Sequence, residues 1–362
     1  MTEPDPTEPP CPTGHHRDGT FRNNDIDFQA KSLAQVLRWK VAAARDGLPK
    51  PSAPAPRATP DLAFLHANAT AGAAMHPAAT WIGHATVLLQ AGGLNVLTDP
   101  VFSERVSPVS FAGPKRHVAP GLALGELPRI DAVVVSHNHY DHLDAASVDA
   151  LASQPGGPPL FLVPLGVRAW FEARGIARVA ELDWWQEVEV GAARIAFVPA
   201  QHWSGRGLGD RLKTLWGGFA LFTDDCHAYY TGDTAYCRDF ERVHARYAAR
   251  HGGAGRGFDL ALIPIGAYAP RWFMRDQHVD ADEAVRIHED VHAVRSIGIH
   301  WGTFSLSDES LDDPPKALAA ARAKRGIGAE AFGVLAIGET LRLPRRNAML
   351  DRVSDDGVPD AA

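Results

Sequence analysis

The sequence predicts an α/β fold in which two mixed β-sheets pack together with helices on the outside. Three observations predict it. Each half of the chain begins with paired strands and then alternates strand and helix, a pattern that layered sheets satisfy. Short apolar runs such as "DAVVVS" (131–136) and "DLALIPIG" (259–266) have the length and composition of buried strands. With 362 residues, 45% of them hydrophobic, the chain can bury a large core without disulfides or metals as staples.

The elements follow in order. Residues 1–29 are acidic, then polar, and rich in proline near the start; they read as a flexible tail. "AKSLAQVLRWKVAAARDG" (30–47) reads as a helix, with Leu33, Val36, Leu37 and Val41 on one stripe and Lys31, Arg38, Lys40 and Arg45 making it basic. Such a helix packs on the main domain or lies on a membrane surface. "LPKPSAPAPRATP" (48–60) reads as a proline-rich linker, so residues 30–60 form a helix-and-linker arm. The main domain spans 78–345. "TWIGHATVLLQ" (80–90) and "LNVLTDP" (94–100) read as two strands joined at a "GG" turn. Asp144 is a good N-cap for a helix through Leu151. Strands are expected at 159–163, 178–182, 186–190 and 193–199. The second half repeats the rhythm: strands at 217–224 and 227–233, a helix over 238–250, a strand at 259–266, a helix over 280–291, a strand at 295–300 and a helix near 314–325. Residues 346–362 read as a flexible C-terminal tail.

Chemistry concentrates in "VVVSHNHYDHLD" (133–144), where three histidines and an aspartate sit within six positions at the end of a buried strand. Residues two apart on an extended segment point to one side, so His137 and His139 can share one metal ion. Asp141 and His142, after the chain turns, can serve a second. Such a loop is costly to desolvate without a partner. The remaining donors are expected at other strand ends: His202, Asp233 and His300. Any one of these alone could be structural. The assignment is His137, His139 and His202 to the first ion, Asp141, His142 and His300 to the second, and Asp233 in "TGDT" shared between them.

These residues carry a resemblance. "SHNHYDHLD" with "QHW", "TGDT" and "GIHWGTF" resembles the metallo-β-lactamase superfamily. "LTDPVFSERVSP", "GPKR", "ELDWW", "LIPIGAYAPRWFM" and "QHVDADEAVRIHEDV" resemble the N-acylphosphatidylethanolamine-hydrolysing phospholipase D family, over about residues 79–342. The resemblance implies a four-layer αββα sandwich with two zinc ions at one edge, held by the seven residues above. It implies substrate contacts from Tyr140 and His278, with His278 joining Asp141 and Asp233 as a catalytic group. The alternatives are a packing tyrosine and an ordinary surface histidine. Asp99 and His84 are candidates for orienting ligand imidazoles from behind or for forming turns. Lys115, Arg116 and Arg271 could contact phosphate or be solvated surface charge. The implied reaction releases N-acylethanolamine and phosphatidic acid; a lactonase or a phosphodiesterase for soluble substrates could use the same site.

Composition narrows the partners. A net charge of −7 and the lack of a basic arm argue against nucleic acid. The three cysteines, Cys11, Cys226 and Cys237, match no disulfide framework. With no leader-like N-terminus and no run long enough to span a bilayer, the expected place is the cytoplasm, with peripheral contact at the inner membrane surface. The expected partners are a phospholipid substrate, the membrane surface and, compatible with both, a second copy in a homodimer.

Overall fold

The two-residue period of a strand sorts its side chains onto two faces, and here both faces find a partner layer. The computed structural model describes residues 13–207, 209–253 and 255–346. It opens on a hairpin of β1 (His16–Arg17) and β2 (Thr20–Phe21), followed by helices α1 (Leu33–Asp46) and α2 (Leu62–Ala69). Strands β3 (Ala78–Gly83), β4 (Thr86–Ala91) and β5 (Leu94–Thr98) form an antiparallel meander. Then β6 (Ala132–Val134), α3 (Ala145–Ala152), β7 (Leu160–Pro164), α4 (Arg168–Glu172) and β8 (Val179–Leu182) extend the sheet in parallel from β5.

The second sheet repeats this plan. It starts with antiparallel β9 (Glu187–Val190), β10 (Ala193–Val198), β11 (Gly218–Phe222) and β12 (His227–Tyr230). It continues in parallel through α5 (Asp239–His251), β13 (Leu260–Pro264), α6 (Arg271–Met274), α7 (Ala281–Asp290), β14 (Arg295–Ile299), α8 (Asp313–Lys324) and β15 (Phe332–Gly333). β16 (Thr340–Arg342) returns to the first sheet beside β3, giving two seven-stranded mixed sheets among the described residues.

Alternation builds the four layers. Val87, Leu89, Val96, Val134 and Leu162 join Ile195, Phe197, Phe219 and Leu221 in one core cluster. Their neighbours Leu88, Leu97, Val133 and Phe161 belong to another, packed with Leu65, Val148, Leu151 and Phe171 of the helices. The fold is the αββα sandwich, and the C-terminal ends of β6, β12 and β14 deliver loops to one edge.

Several sequence expectations change. Residues 80–90 are not one strand. His84 takes a left-handed φ of 53° and turns the chain between β3 and β4. Its N–H donates to Thr303 Oγ1 and its carbonyl accepts from Trp81 Nε1, and these bonds hold the turn. Residues 13–29 are not a free tail: His15 and Asn23 are buried, and Phe21 N–H donates to the Leu212 carbonyl. The 48–60 arm is not a loose linker, because Ala58 N–H and the Pro56 carbonyl both pair with the Ile337 backbone and Ala55 is buried. Arg346, assigned to the C-terminal tail, is buried and pairs with Asp259 at 2.9 Å. The rest of the expected tails, 1–12 with Cys11 and 347–362, lies outside the described residues. α1 docks through Trp39 and Val36 on Phe273 and Met274, while Leu33, Leu37 and Val41 of its apolar stripe face outward.

Candidate metal centre

The loop after β6 begins where a parallel strand ends, so its first residues inherit a rigid position. Val134 pairs with Thr98 on one side and with Leu162 on the other. From there His137 and His139 turn inward, and His137 Nε2 lies 2.7 Å from His139 Nδ1. His202, following β10, brings its Nε2 to 3.4 Å from the same His139 atom. These three imidazoles make one half of the centre.

The other half gathers around two carboxylates. His142 Nε2 and His300 Nε2 are 3.3 Å apart. Asp141 Oδ2 lies 3.4 Å from the first and 3.5 Å from the second. Asp233 Oδ2 lies 3.0 Å from His142, 3.2 Å from His300 and 3.9 Å from His202, so it faces both halves. Gly232 makes this approach possible. Its φ is 63°, and a Cβ there would meet the Gly217 carbonyl oxygen at 2.5 Å and Ser136 Cβ at 2.8 Å. His300 also has a left-handed φ, 61°, with its N–H donating to the His84 carbonyl.

Groups behind the ligands fix which ring nitrogen faces inward. His202 Nδ1 donates to the Gln277 carbonyl at 2.8 Å, leaving Nε2 for the centre. His142 Nδ1 donates to Asp99 Oδ2 at 2.5 Å. Asp99 also accepts from Tyr230 Oη and from the N–H and Oγ of Ser136, whose oxygen accepts from His137 Nδ1. Asp99 therefore stands behind one ligand imidazole of each half. His84 takes the turn-forming alternative, with its left-handed φ between β3 and β4, and it also reaches the site. Its Nε2 is 3.1 Å from Asp141 Oδ2, so it orients a carboxylate rather than an imidazole.

Burial sets the protonation of the first half. It holds His137 well below the ordinary histidine range, His139 at about 3 and His202 at about 4. Those imidazoles are neutral at pH 7, the form that binds metal. In the second half burial also opposes charge on the rings, yet Asp233 and Asp141 raise His142 well above its usual value and His300 to about 9. Burial pushes Asp141 and Asp233 upward, but the imidazoles beside them hold both well below the carboxylate range. The donor set fits metal: five imidazole nitrogens and two ionised carboxylates converge, and the carboxylates that raise His142 and His300 mark the place where a cation's charge is favoured.

All seven expected ligands meet at this edge. His278 sits beside them, with Nδ1 4.0 Å from Asp233 Oδ2 and no hydrogen-bond partner for that atom. Tyr140 projects half-buried from the loop, under the Arg206 guanidinium at 3.9 Å from its ring centre. The three expected basic residues are committed elsewhere. Lys115 pairs with Glu104 at the surface. Arg116 is a half-buried clamp on the carbonyls of Val101 and Ser103, not solvated charge. Arg271 donates to the His278 carbonyl and pairs with Glu283. Two residues of the site were not anticipated. Arg206 donates to the Asn138 and Leu143 carbonyls and so braces the ligand loop from both ends. Asn23 pairs with both backbone groups of His202, accepting from its N–H and donating to its carbonyl, each at 3.0 Å.

Residues 94–301 match the family model described as "Beta-lactamase superfamily domain". The chain belongs to the metallo-β-lactamase superfamily. It is similar to an uncharacterised Mycobacterium tuberculosis protein, at 41% identity over 85% of this chain and 79% of that one. It is also similar to N-acyl-phosphatidylethanolamine-hydrolyzing phospholipase D 1 of Caenorhabditis elegans, at 43% identity over 63% of this chain and 64% of the relative. Among solved structures it resembles the isothiocyanate hydrolase from Delia radicum gut bacteria, with a TM-score of 0.57 and 22% identity, over 74% of this chain and 99% of that one. That likeness is one of fold. The chain is thus a metallo-β-lactamase-fold hydrolase with a candidate His/Asp metal centre.

Proposed function

We propose that the protein is a zinc-dependent phosphodiesterase of the phospholipase D type. It cleaves N-acylphosphatidylethanolamine to N-acylethanolamine and phosphatidic acid. The observation that carries the reading is the position of Asp233, one carboxylate within reach of imidazoles from both halves of the centre. Similarity to the worm phospholipase supports the substrate, and it covers 64% of that relative's length.

His137, His139 and His202 would hold one zinc ion, and Asp141, His142 and His300 the other, with Asp233 between them. When bound, such a pair supplies Lewis acidity toward phosphate oxygens and a nucleophile from water near neutral pH. The chain's own groups then decide orientation. Burial keeps His278 neutral, well below the ordinary histidine range, so its ring suits donating one hydrogen bond to a phosphate oxygen better than delivering a proton to the leaving alkoxide. Tyr140, fixed by Arg206 and placed between ligands of the two halves, is poised to contact the substrate. Among the described residues no helix is long and apolar enough to cross a membrane. The outward stripe of Leu33, Leu37 and Val41 on the basic helix α1 supports peripheral contact with a lipid surface.

The test is to incubate zinc-loaded protein with a mixed lipid extract and follow the products by mass spectrometry. N-acylethanolamine should appear with matching phosphatidic acid. An unchanged lipid profile beside rapid hydrolysis of a water-soluble lactone or diester would overturn the reading.

A further inference from the structure

A second group of metal-ligating side chains lies outside the centre, where the N-terminal hairpin meets the turn after β8. His15 ends a short 3₁₀ turn (Thr13–His15) and His16 opens β1. Both rings reach the same carboxylate. His15 Nε2 is 2.7 Å from Asp183 Oδ1, and His16 Nε2 is 2.7 Å from Asp183 Oδ2. One ligand atom from each residue falls within 4.8 Å of the others. Consecutive strand residues point to opposite faces, so this convergence depends on the change from turn to strand between the two histidines.

We propose that His15, His16 and Asp183 bind a third divalent cation, of the zinc class, that fastens the N-terminal segment to the domain. Two imidazole nitrogens and one carboxylate oxygen are a zinc-type donor set. The His15 side chain is fully buried, packed against Trp184 with ring centres 4.3 Å apart, whereas the His16 side chain is 45% exposed. One ligand thus lies at the surface, where a cation can enter and water can complete its shell. The bland alternative is that both rings simply donate Nε2–H to the carboxylate.

The site would have a consequence for the main centre. Arg22 N–H donates to the His15 carbonyl, which closes the hairpin. The next residue is Asn23, which grips both backbone groups of His202 and accepts from Trp216 Nε1 at 2.9 Å. A cation at the hairpin fixes the segment from which Asn23 positions a ligand of the first half.

The experiment is to load the full chain with cadmium, remove the excess, and record ¹¹³Cd spectra and metal content for three proteins. These are wild type, His16→Ala and Asp183→Asn. His16→Ala removes an exposed ring, so the fold should survive; Asp183→Asn keeps the size of the side chain and provides a second variant. Wild type should show one resonance, and about one metal equivalent, beyond the signals of the main centre. That resonance should vanish in both variants while the other signals remain. Protection of the Arg22 amide, which donates to the His15 carbonyl, against hydrogen exchange should fall with it. Identical signals and identical metal content in all three proteins would overturn the proposal and leave the alternative. The readout involves no lipid, so its failure is distinct from failure of the proposed reaction.

Discussion

The two halves of the metal centre follow opposite electrostatic plans. The His137–His139–His202 half is three imidazoles that burial keeps neutral. The Asp141–His142–His300 half, with Asp233, is dominated by carboxylates, which overcome burial and raise His142 and His300. Their supports differ as well. The first half depends on backbone grips, with Asn23 on the His202 main chain and the Gln277 carbonyl on its ring. The second depends on buried carboxylate chemistry, with Asp99 behind His142 and His84 behind Asp141. One half is held by how the chain is tied, the other by where charge is stored. Asp233 faces both directly, and Asp99 stands behind one imidazole of each.

That contrast breaks most completely at Asp233. Asp233→Asn removes the shared anion, so we expect metal content to fall below one equivalent per chain and turnover to drop by roughly a thousandfold or more. Metal analysis and lipid hydrolysis on the same preparation check this; full activity with both ions retained would show that the halves do not share a ligand. Asp99→Asn should act most on the second half, where Asp99 bonds His142 directly, and less on the first, which it reaches through Ser136 and His137. Loss of the anion behind His142 should weaken metal there by about 10–100-fold, seen as the more weakened step in a zinc titration. Asn23→Ala should act on the first half alone. It leaves His202 N–H and C=O unpaired in a buried place, at a cost of about 1–3 kcal/mol, so the first-half ion should bind more weakly by about 5–150-fold at most. Equal weakening of both steps would show that the supports are not separate.

A pH effect far from the centre sharpens the comparison further. Burial and the nearby Arg346 charge hold His227 at about 3. Burial, His227 and Arg346 hold His251 at about 3 as well. In the unfolded chain each titrates near ~6.5. Between those values the unfolded chain takes up protons that the folded chain refuses. Stability is therefore full above about pH 6.5 and falls as pH drops toward 3, by about 1.4 kcal/mol per pH unit for one independent group. Denaturant melts from pH 7 to 4 should show this slope, and His251→Gln should flatten it. Acid loss of metal at the centre is then best compared between the halves above pH 6.5.

Much of the site was legible because its signals are local. The loop 137–142 follows a strand directly, and His202, Asp233 and His300 each follow an apolar run. The alternation of inner and outer residues along β4, β5 and β6 likewise announces two covered sheet faces. What escaped is long-range. Asn23 meets His202 across 179 positions, and no periodicity marks either end of that contact. Arg206 reads as one cation in a glycine-rich stretch, although it spans the ligand loop. The segment 13–29 reads as a tail because its fixing contacts lie at Asp183, Leu212 and His202, not within itself. The turn at His84 was hidden inside a continuous β-like run, since a left-handed histidine leaves no mark in hydrophobic pattern. On α1 the apolar stripe was visible, but its direction was not: Trp39 anchors the helix and turns the stripe outward.

In the proposed reaction the centre directs water to phosphorus, and oxygen labelling tests this most directly. Zinc-loaded protein is given N-acylphosphatidylethanolamine in H₂¹⁸O, and each product is analysed for the label. Attack at phosphorus predicts ¹⁸O in the phosphate group of phosphatidic acid and none in the N-acylethanolamine. Label in a released fatty acid, or lipid left intact while a soluble ester is hydrolysed, would contradict the account.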